Sequence, residues 1–285
     1  MFKKILCPID FSPGSQLALQ RAAWLAKGSN AELVLAHACY VPPFIYAEEY
    51  PMPIDTVARM TEDAKRSLAE SHAEAIRLGA PNVSTRFLEG IPWDNIVRVA
   101  ADPTFDLIVI GTQGRTGFKR LLLGSVAEKV VRHASCSVLV ARGEATAFEH
   151  VLCATDFSTE ARIAMTQAAA LATGSITLFH AIELPVSYSG EPSVPGFLDD
   201  VDKRSAELLT TWTGELAAKT KATVSHRARI GSPAQQALAI LDDRTYDLAV
   251  VGSHGRTGIR RILLGSVAEN IVRHAPCSVL VSRSR

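Results

Sequence analysis

Residues 106–142 read DLIVIGTQGRTGFKRLLLGSVAEKVVRHASCSVLVAR, and this stretch decides the fold because the chain contains it twice. It recurs as residues 247–283, DLAVVGSHGRTGIRRILLGSVAENIVRHAPCSVLVSR, and the two copies are identical at 26 of 37 aligned positions. Most of the differences are conservative, such as Val130 against Ile271. A match of this length between two parts of one chain indicates a duplicated domain.

Within the first copy, a short apolar run leads into a glycine-containing loop and then into a helical pattern. Residues 107–110 are typical of a strand buried on both faces, and Gly124 and Ser125 open the helical pattern. Glycines that allow the main chain to approach a ligand, next to the free N–H groups of a helix N-terminus, suit an anion such as phosphate. The alternative is that the glycines only shape a turn and Ser125 only caps the helix. Two copies with the same glycines and serine favour binding.

The composition is that of an ordinary globular protein. The 285 residues are 47% hydrophobic and 21% charged, with a net charge of +1. This balance provides no basic field for nucleic acid, and no apolar run reaches the roughly 18 residues that a membrane helix needs. The N-terminal MFKKILCPID is too short in apolar residues for a signal peptide, so we expect a cytoplasmic protein without nucleic-acid or membrane partners.

The five cysteines do not form a metal or disulfide pattern. Cys7 and Cys153 are equivalent in the two halves, as are Cys136 and Cys277, and all four lie in apolar, strand-like runs. They are expected to be small buried hydrophobic residues, and the absence of CxxC or Cys/His spacing predicts no zinc site.

Strand-like and helix-like segments alternate through both halves with short connections. In the first half we expect strands at 3–9, 32–38, 83–88, 107–110 and 137–141 and helices at 16–27, 55–78 and 92–101. Pro13 and Gly14 are expected to break the chain before the first helix, and Gly28 to end it. The pattern predicts an α/β fold of two repeated, Rossmann-like domains, 1–142 and 149–285, joined by a polar link at 143–149. Each is a five-stranded parallel, doubly wound sheet with helices on both faces.

An aspartate follows the first strand of each half, at Asp10 and Asp156. In doubly wound sheets, ligands bind beyond the carboxyl ends of the strands, where the winding reverses. If the first and fourth strands are neighbours there, Asp10 and the glycine loop face one crevice, and the carboxylate can accept hydrogen bonds from ribose hydroxyls. The alternative for Asp10 is a residue that is stabilised by a helix dipole.

The chain resembles the universal stress protein family, in its tandem form, over almost its whole length. The nucleotide motif of that family is Gly, two residues, Gly, nine residues, then Gly followed by Ser or Thr. The motif is matched in the two halves by Gly111, Gly114, Gly124 and Ser125, and by Gly252, Gly255, Gly265 and Ser266. The resemblance includes the two aspartates and a His-Ala pair at the end of each second strand. One departure is Gln113, which stands where the second half has His254.

The resemblance implies an ATP site in each half, with or without Mg²⁺. In ATP-binding members the aspartate holds the ribose, and the residue after the histidine, here Ala38 or Ala181, approaches adenine through its backbone. The remaining residues expected at the nucleotide are Pro8, Ile9, Ile110, Val126, Ala154, Thr155, Val251 and Val267. Arg115 and Arg256 could reach phosphate oxygens, but loop arginines are more often solvated.

The resemblance implies a nucleotide-binding protein of stress response or signalling. An ATPase or adenylate-transfer enzyme is the alternative, but the chain has no GxxxxGK[ST] loop and no acidic cluster dedicated to Mg²⁺. No nucleophile or general base can be assigned, and His133 and His274 suit a helix C-terminus rather than catalysis. A scaffold whose pocket holds another small ligand is a third reading.

The last strand of each half, at 137–141 and 278–282, is expected at a sheet edge. An exposed apolar edge is an aggregation hazard unless it is covered. We therefore expect the two edges to pair about a pseudo-two-fold axis, as two subunits do in single-domain relatives. Homodimerisation of the whole chain is left open.

Overall fold

The chain folds as two compact units, residues 1–145 and 146–284. The computed structural model describes residues 2–40, 54–112, 123–145, 147–183, 197–255 and 264–284. The glycine-loop residues Gln113, Gly114, Arg115 and Arg256 lie outside these ranges, as do the proline-containing segments 41–53 and 184–196. No helix in the described ranges is long and apolar enough to cross a membrane.

The first unit alternates strands with helices. In chain order it contains β1 (Lys4–Pro8), α1 (Pro13–Ser29), β2 (Glu32–Cys39), α2 (Ile54–Arg77), β3 (Asn82–Glu89), α3 (Pro92–Ala100), β4 (Leu107–Gly111), α4 (Ser125–His133) and β5 (Ser137–Ala141). Its strands pair in the order β3-β2-β1-β4-β5, and every pair is parallel. The winding therefore reverses between β1 and β4, as the sequence predicts.

The second unit repeats this plan. In chain order it contains β6 (Phe148–Ala154), α5 (Thr159–Leu171), β7 (Ala172–Ile182), α6 (Phe197–Ala217), β8 (Thr223–Ile230), α7 (Pro233–Leu241), β9 (Leu248–Gly252), α8 (Ser266–His274) and β10 (Ser278–Ser282). Its strands pair in the order β10-β9-β6-β7-β8, again all parallel. The equivalent reversal lies between β6 and β9.

The core of each unit is formed by strands that are buried on both faces. In unit 1, α1 packs with α2 and α3 packs with α4, and both pairs contact the sheet. The four residues Leu107–Ile110 of β4 are buried, as is all of β5. Each fully buried branched aliphatic side chain contributes roughly 1.5–3 kcal/mol. The predicted α/β class, with helices on both faces of a parallel sheet, is confirmed.

The ends of α1 differ from the prediction. Pro13 does not break the chain but opens the helix, because proline needs no N–H partner in the first turn, and Ser12 caps it by accepting from the Ser15 amide. Gly28 does not end the helix either. It lies inside α1, and Asn30 takes the left-handed position at the C-terminus with φ of 52°.

The first strand of unit 2 begins earlier than the apolar pattern indicates. Phe148 is fully buried in β6, although the sequence places it in a polar link. Its partner β7 is correspondingly long, at 11 residues. Burial of one aromatic ring thus extends the sheet into a segment that looks polar on average.

Candidate functional site

The aspartates and the glycine loops follow neighbouring strands. In unit 1, Ile5 and Leu6 of β1 pair with Leu107 and Ile108 of β4. Asp10 and Gly111 therefore emerge at the same edge of the sheet, where the winding reverses. Unit 2 has the same register between β6 and β9, so Asp156 and Gly252 are placed alike.

Each aspartate braces the turn that starts the following helix. Asp10 Oδ1 accepts hydrogen bonds from the Ser12 amide at 3.1 Å and from Ser12 Oγ at 2.6 Å. Asp156 Oδ1 accepts from the Ser158 amide at 3.0 Å. Ser12 and Ser158 are the N-caps of α1 and α5, so each aspartate lies two residues before the cap. One carboxylate oxygen is thereby fixed by the turn, which orients the other.

In unit 2 the second glycine of the motif lies directly against the aspartate. A Cβ atom added to Gly255 would lie 2.8 Å from Asp156 Oδ2. The backbone of Gly255 is not left-handed, so a side chain there would be opposed by this close approach, which only a shift of the Asp156 carboxylate could relieve. The structure thus brings together the carboxylate and the loop that the sequence predicts to share one crevice.

A backbone hydrogen bond closes each glycine loop at its base. The Gly124 amide donates to the Thr112 carbonyl at 2.7 Å, and the Gly265 amide donates to the Ser253 carbonyl at 2.8 Å. These bonds hold the N-termini of α4 and α8 beside the ends of β4 and β9. Free N–H groups of a first helical turn are thereby fixed at the sheet edge, in a position suited to an anion.

Ser125 and Ser266 are not helix caps. The N-cap positions of α4 and α8 are Gly124 and Gly265, and each serine is the first helical residue. Both serines are exposed at the site edge. The capping alternative for Ser125 is therefore wrong, and its contact with a ligand stays a prediction.

The first glycine of each motif is explained by packing. A Cβ atom on Gly111 would lie 2.5 Å from the carbonyl carbon and oxygen of Gly14 in α1. A Cβ atom on Gly252 would lie 3.2 Å from the carbonyl carbon of Glu160 in α5. These glycines allow a strand end to lie against the start of a helix, and their contact with a ligand stays a prediction.

Most of the apolar residues expected at the nucleotide lie at the ends of β1, β2 and β4 or of their counterparts in unit 2. The Ile9 amide donates to the Ala36 carbonyl at 2.8 Å, and the Thr155 amide donates to the Phe179 carbonyl at the same distance. Pro8, Ile9 and Thr155 are buried, as are Ile110 and Val251 at the ends of β4 and β9. The half-buried members of the set are Ala38, Val126, Ala154, Ala181 and Val267.

Sequence reasoning missed a histidine–phenylalanine pair in each unit. His37 Nδ1 lies 2.7 Å from the Ile9 carbonyl oxygen, and the His37 and Phe11 ring centroids are 4.5 Å apart. In unit 2, His180 Nδ1 lies 2.8 Å from the Thr155 carbonyl oxygen, with Phe157 again at 4.5 Å. The repeated Asp-Phe-Ser and His-Ala sequences were the only signal that could have indicated it.

The cysteines beneath the site have unreactive thiols. Burial raises the pKa of the Cys153 thiol to about 12, and burial raises the pKa of Cys7 as well. Both thiols are neutral at physiological pH and are poor nucleophiles. Among the described residues, no group of three or more His, Cys, Asp or Glu side chains is arranged to hold a metal ion.

Comparison with known proteins gives a consistent family. The model of the universal stress protein family matches residues 1–142 and 147–283. Universal stress protein Rv2623 of Mycobacterium tuberculosis is 29% identical over 98% of this chain and 96% of its own length. Universal stress protein MJ0531 of Methanocaldococcus jannaschii is 36% identical over 50% of this chain and 83% of its own length. A universal stress protein structure from Archaeoglobus fulgidus covers 98% of both chains with a TM-score of 0.74 at 23% identity, which shows a shared fold.

Proposed function

The chain belongs to the universal stress protein family, and we propose that each of its two units binds ATP or a related adenine nucleotide. The family match covers both units, and each unit has the strand-one aspartate, the spaced glycines and the helix-opening serine. The binding serves stress response or signalling rather than turnover.

The observation that carries this proposal is the approach of Gly255 to Asp156. A side chain at 255 would occupy the space in front of the carboxylate, since its Cβ would lie 2.8 Å from Oδ2. A bare main chain beside an oriented carboxylate suits a ligand that combines hydroxyl donors with an anion. A ribose joined to phosphates has that combination.

Each part of the nucleotide has a matching part of the site. The aspartates accept hydrogen bonds from ribose hydroxyls, and the N-termini of α4 and α8 with Ser125 and Ser266 face the phosphates. Adenine lies at the ends of β1 and β2, or β6 and β7, against the buried Ile9 or Thr155. Mg²⁺, where it takes part, is held mainly by phosphate oxygens and water, as this ion prefers.

The groups at the site give little support to ATP turnover as the function. The described residues at the site supply carboxylates that already brace a turn, helix-opening serine hydroxyls and main-chain N–H groups, and the thiols beneath it are neutral and buried. Phosphoryl transfer requires a positioned nucleophile and neutralisation of the developing charge. Binding without rapid chemistry fits this set of groups best.

The proposal is tested by the ligand that the protein retains. Purified chain is denatured, and the extract is separated by anion exchange and compared with ATP, ADP and AMP standards. We expect an adenine nucleotide, and a non-nucleotide ligand would favour the scaffold reading instead.

Matched variants then assign the site. Asp156→Ala should weaken ATP binding at unit 2 by about 1–3 kcal/mol through loss of a hydrogen bond to a charged acceptor. Asp156→Asn keeps an oxygen for the Ser158 amide but removes the charge, so it separates bracing of the turn from ligand binding. Asp10→Ala provides the same comparison for unit 1. Unchanged ATP affinity in a folded variant that lacks both aspartates would contradict the assignment.

A further inference from the structure

Phe11 and Phe157 have a backbone conformation that phenylalanine rarely adopts. Both have φ of 65°, in the left-handed region, and each directly follows the site aspartate. For a residue with a Cβ atom this conformation costs roughly 1–2 kcal/mol. The same strained conformation recurs in a bulky residue beside both candidate sites. The surrounding structure must therefore stabilise this conformation, as is common at functional sites.

The histidine of the second strand supplies that restraint. His37 is buried, and since a carbonyl oxygen can only accept, its Nδ1 carries the proton and donates to Ile9. The same ring stacks on Phe11 with an interplanar angle of 28°. The imidazole thus binds the residue before Asp10 and packs on the residue after it.

The restraint determines where the carboxylate points. With Phe11 left-handed, the chain folds back so that the Ser12 amide and hydroxyl both reach Asp10 Oδ1. This fixes the side-chain rotamer, and therefore the direction of the second oxygen. In unit 2 the second oxygen of Asp156 faces Gly255, the second glycine of the motif.

The two units reach this geometry with different supporting contacts. In unit 2 the Phe157 amide donates to Thr155 Oγ1 at 3.0 Å, and Trp212 packs edge-on against Phe157 with centroids 5.3 Å apart. Unit 1 has isoleucine at the position of Thr155, and Phe87 packs against His37 instead. The turn is therefore the common feature, rather than one particular packing partner.

We propose that His37 and His180 are positioning residues that give each site its preference for ribose hydroxyls. They act through the aspartate: the histidine holds the strained phenylalanine turn, the turn fixes the carboxylate, and the carboxylate accepts from the hydroxyls. This inference rests on the proposed nucleotide binding and adds the determinant of its sugar specificity.

The test compares ATP with 2′,3′-dideoxy-ATP, which lacks both hydroxyls, by calorimetry on nucleotide-free protein. In the wild type we expect ATP to bind about tenfold more tightly, as for a hydrogen bond to a charged group. In His37→Leu/His180→Leu this ratio should fall to about one, while the Kd for the dideoxy nucleotide changes less than about twofold.

The matched control is His37→Asn/His180→Asn, because the asparagine amide nitrogen can replace Nδ1 as the donor. It should retain most of the preference. Phe11→Ala/Phe157→Ala keeps the positive-φ strain but removes the ring that stacks on the histidine, so this variant should also lose the preference. It serves as the test if the leucine variant does not fold.

The outcomes distinguish failure of the proposed function from failure of the positioning role. Failure of the wild type to bind ATP or another adenine nucleotide would overturn the proposed function itself. Binding without any preference for ATP, or a wild-type ratio in the leucine variant, would overturn only the positioning role. An equal loss of affinity for both nucleotides in the leucine and alanine variants would also overturn it, since that is the effect of general damage to the site.

Discussion

Gly255→Ala should weaken nucleotide binding at unit 2 without destabilising the fold. The added methyl would lie 2.8 Å from Asp156 Oδ2, which is closer than non-bonded atoms tolerate. The obstructing atom is the end of a flexible side chain, so the carboxylate can rotate away. Its Oδ1 is tied to the Ser158 amide, and rotation therefore disturbs either that bond or the ligand contact.

The size of the effect follows from the contact that is lost. A hydrogen bond to a charged acceptor is worth about 1.5–3 kcal/mol, which corresponds to a roughly 10- to 100-fold rise in Kd. The free energy of unfolding should change by less than about 1 kcal/mol, because no main-chain atom has to move.

The Kd of unit 2 is measured by calorimetric titration with ATP in an Asp10→Ala background. Because that change weakens the site of unit 1, the tighter of the two sites is then that of unit 2. Gly252→Ala is the matched control: it changes the same motif, but its methyl would meet Glu160 rather than Asp156. Gly252→Ala should lower the free energy of unfolding more than it weakens ATP binding.

A double-mutant cycle tests the cause. If Gly255→Ala acts by displacing the carboxylate, it should cost little further affinity once Asp156 is already alanine. The same loss of affinity in both backgrounds would refute the reasoning, and so would a wild-type Kd for Gly255→Ala alone.

Three further predictions concern packing, burial and chemistry. Gly111→Ala should lower the free energy of unfolding of unit 1 by about 3 kcal/mol, because its methyl would meet the Gly14 main chain at 2.5 Å. Gly28 lies inside α1 with nothing within 4 Å of an added Cβ atom, so Gly28→Ala should raise the free energy of unfolding by up to about 1 kcal/mol. Equal effects of Gly111→Ala and Gly28→Ala in urea unfolding would contradict this difference in packing. A Trp212→Phe background restricts tryptophan fluorescence to unit 1 in that experiment. The free energy of unfolding should fall as pH rises above roughly 8.5, where the unfolded Cys153 thiol ionises, because its pKa of about 12 keeps the folded thiol protonated. Chemical unfolding at several pH values should therefore show that the free energy of unfolding falls less steeply with pH in Cys153→Ala than in the wild type. The same pH dependence in both proteins would count against the buried neutral thiol. With ATP and Mg²⁺, phosphate release should be far slower than the roughly 10 s⁻¹ typical of enzymes, and a comparable rate that copurifies with the chain would show that turnover is the function.

The strands and their order were predictable because their signals are local. Short apolar runs mark strands that are buried on both faces, and β5 has the predicted bounds, Ser137–Ala141. The duplication doubled every signal, and the prediction of one crevice was conditional on the pairing of β1 with β4, which the structure has. Helix ends were less predictable: Pro13 is compatible with either a chain break or a first helical turn, and only the Ser12 cap decides between them.

The restraint on the aspartate was not predictable from the sequence. Nothing in the local sequence indicates a left-handed phenylalanine at position 11, since that conformation is set by a histidine 26 residues further along the chain. The contact of His37 with Ile9 depends on the register of β1 against β2. Gly111 shows a second limit, because a glycine that lies close to a helix and one that lies close to a ligand look the same in a sequence.

The most direct test of the central claim is the stoichiometry of ATP binding to nucleotide-free chain, measured by isothermal titration calorimetry. Two nucleotides per chain are expected in the wild type. A folded chain with both strand-one aspartates and with no saturable binding of ATP or another adenine nucleotide would contradict the claim.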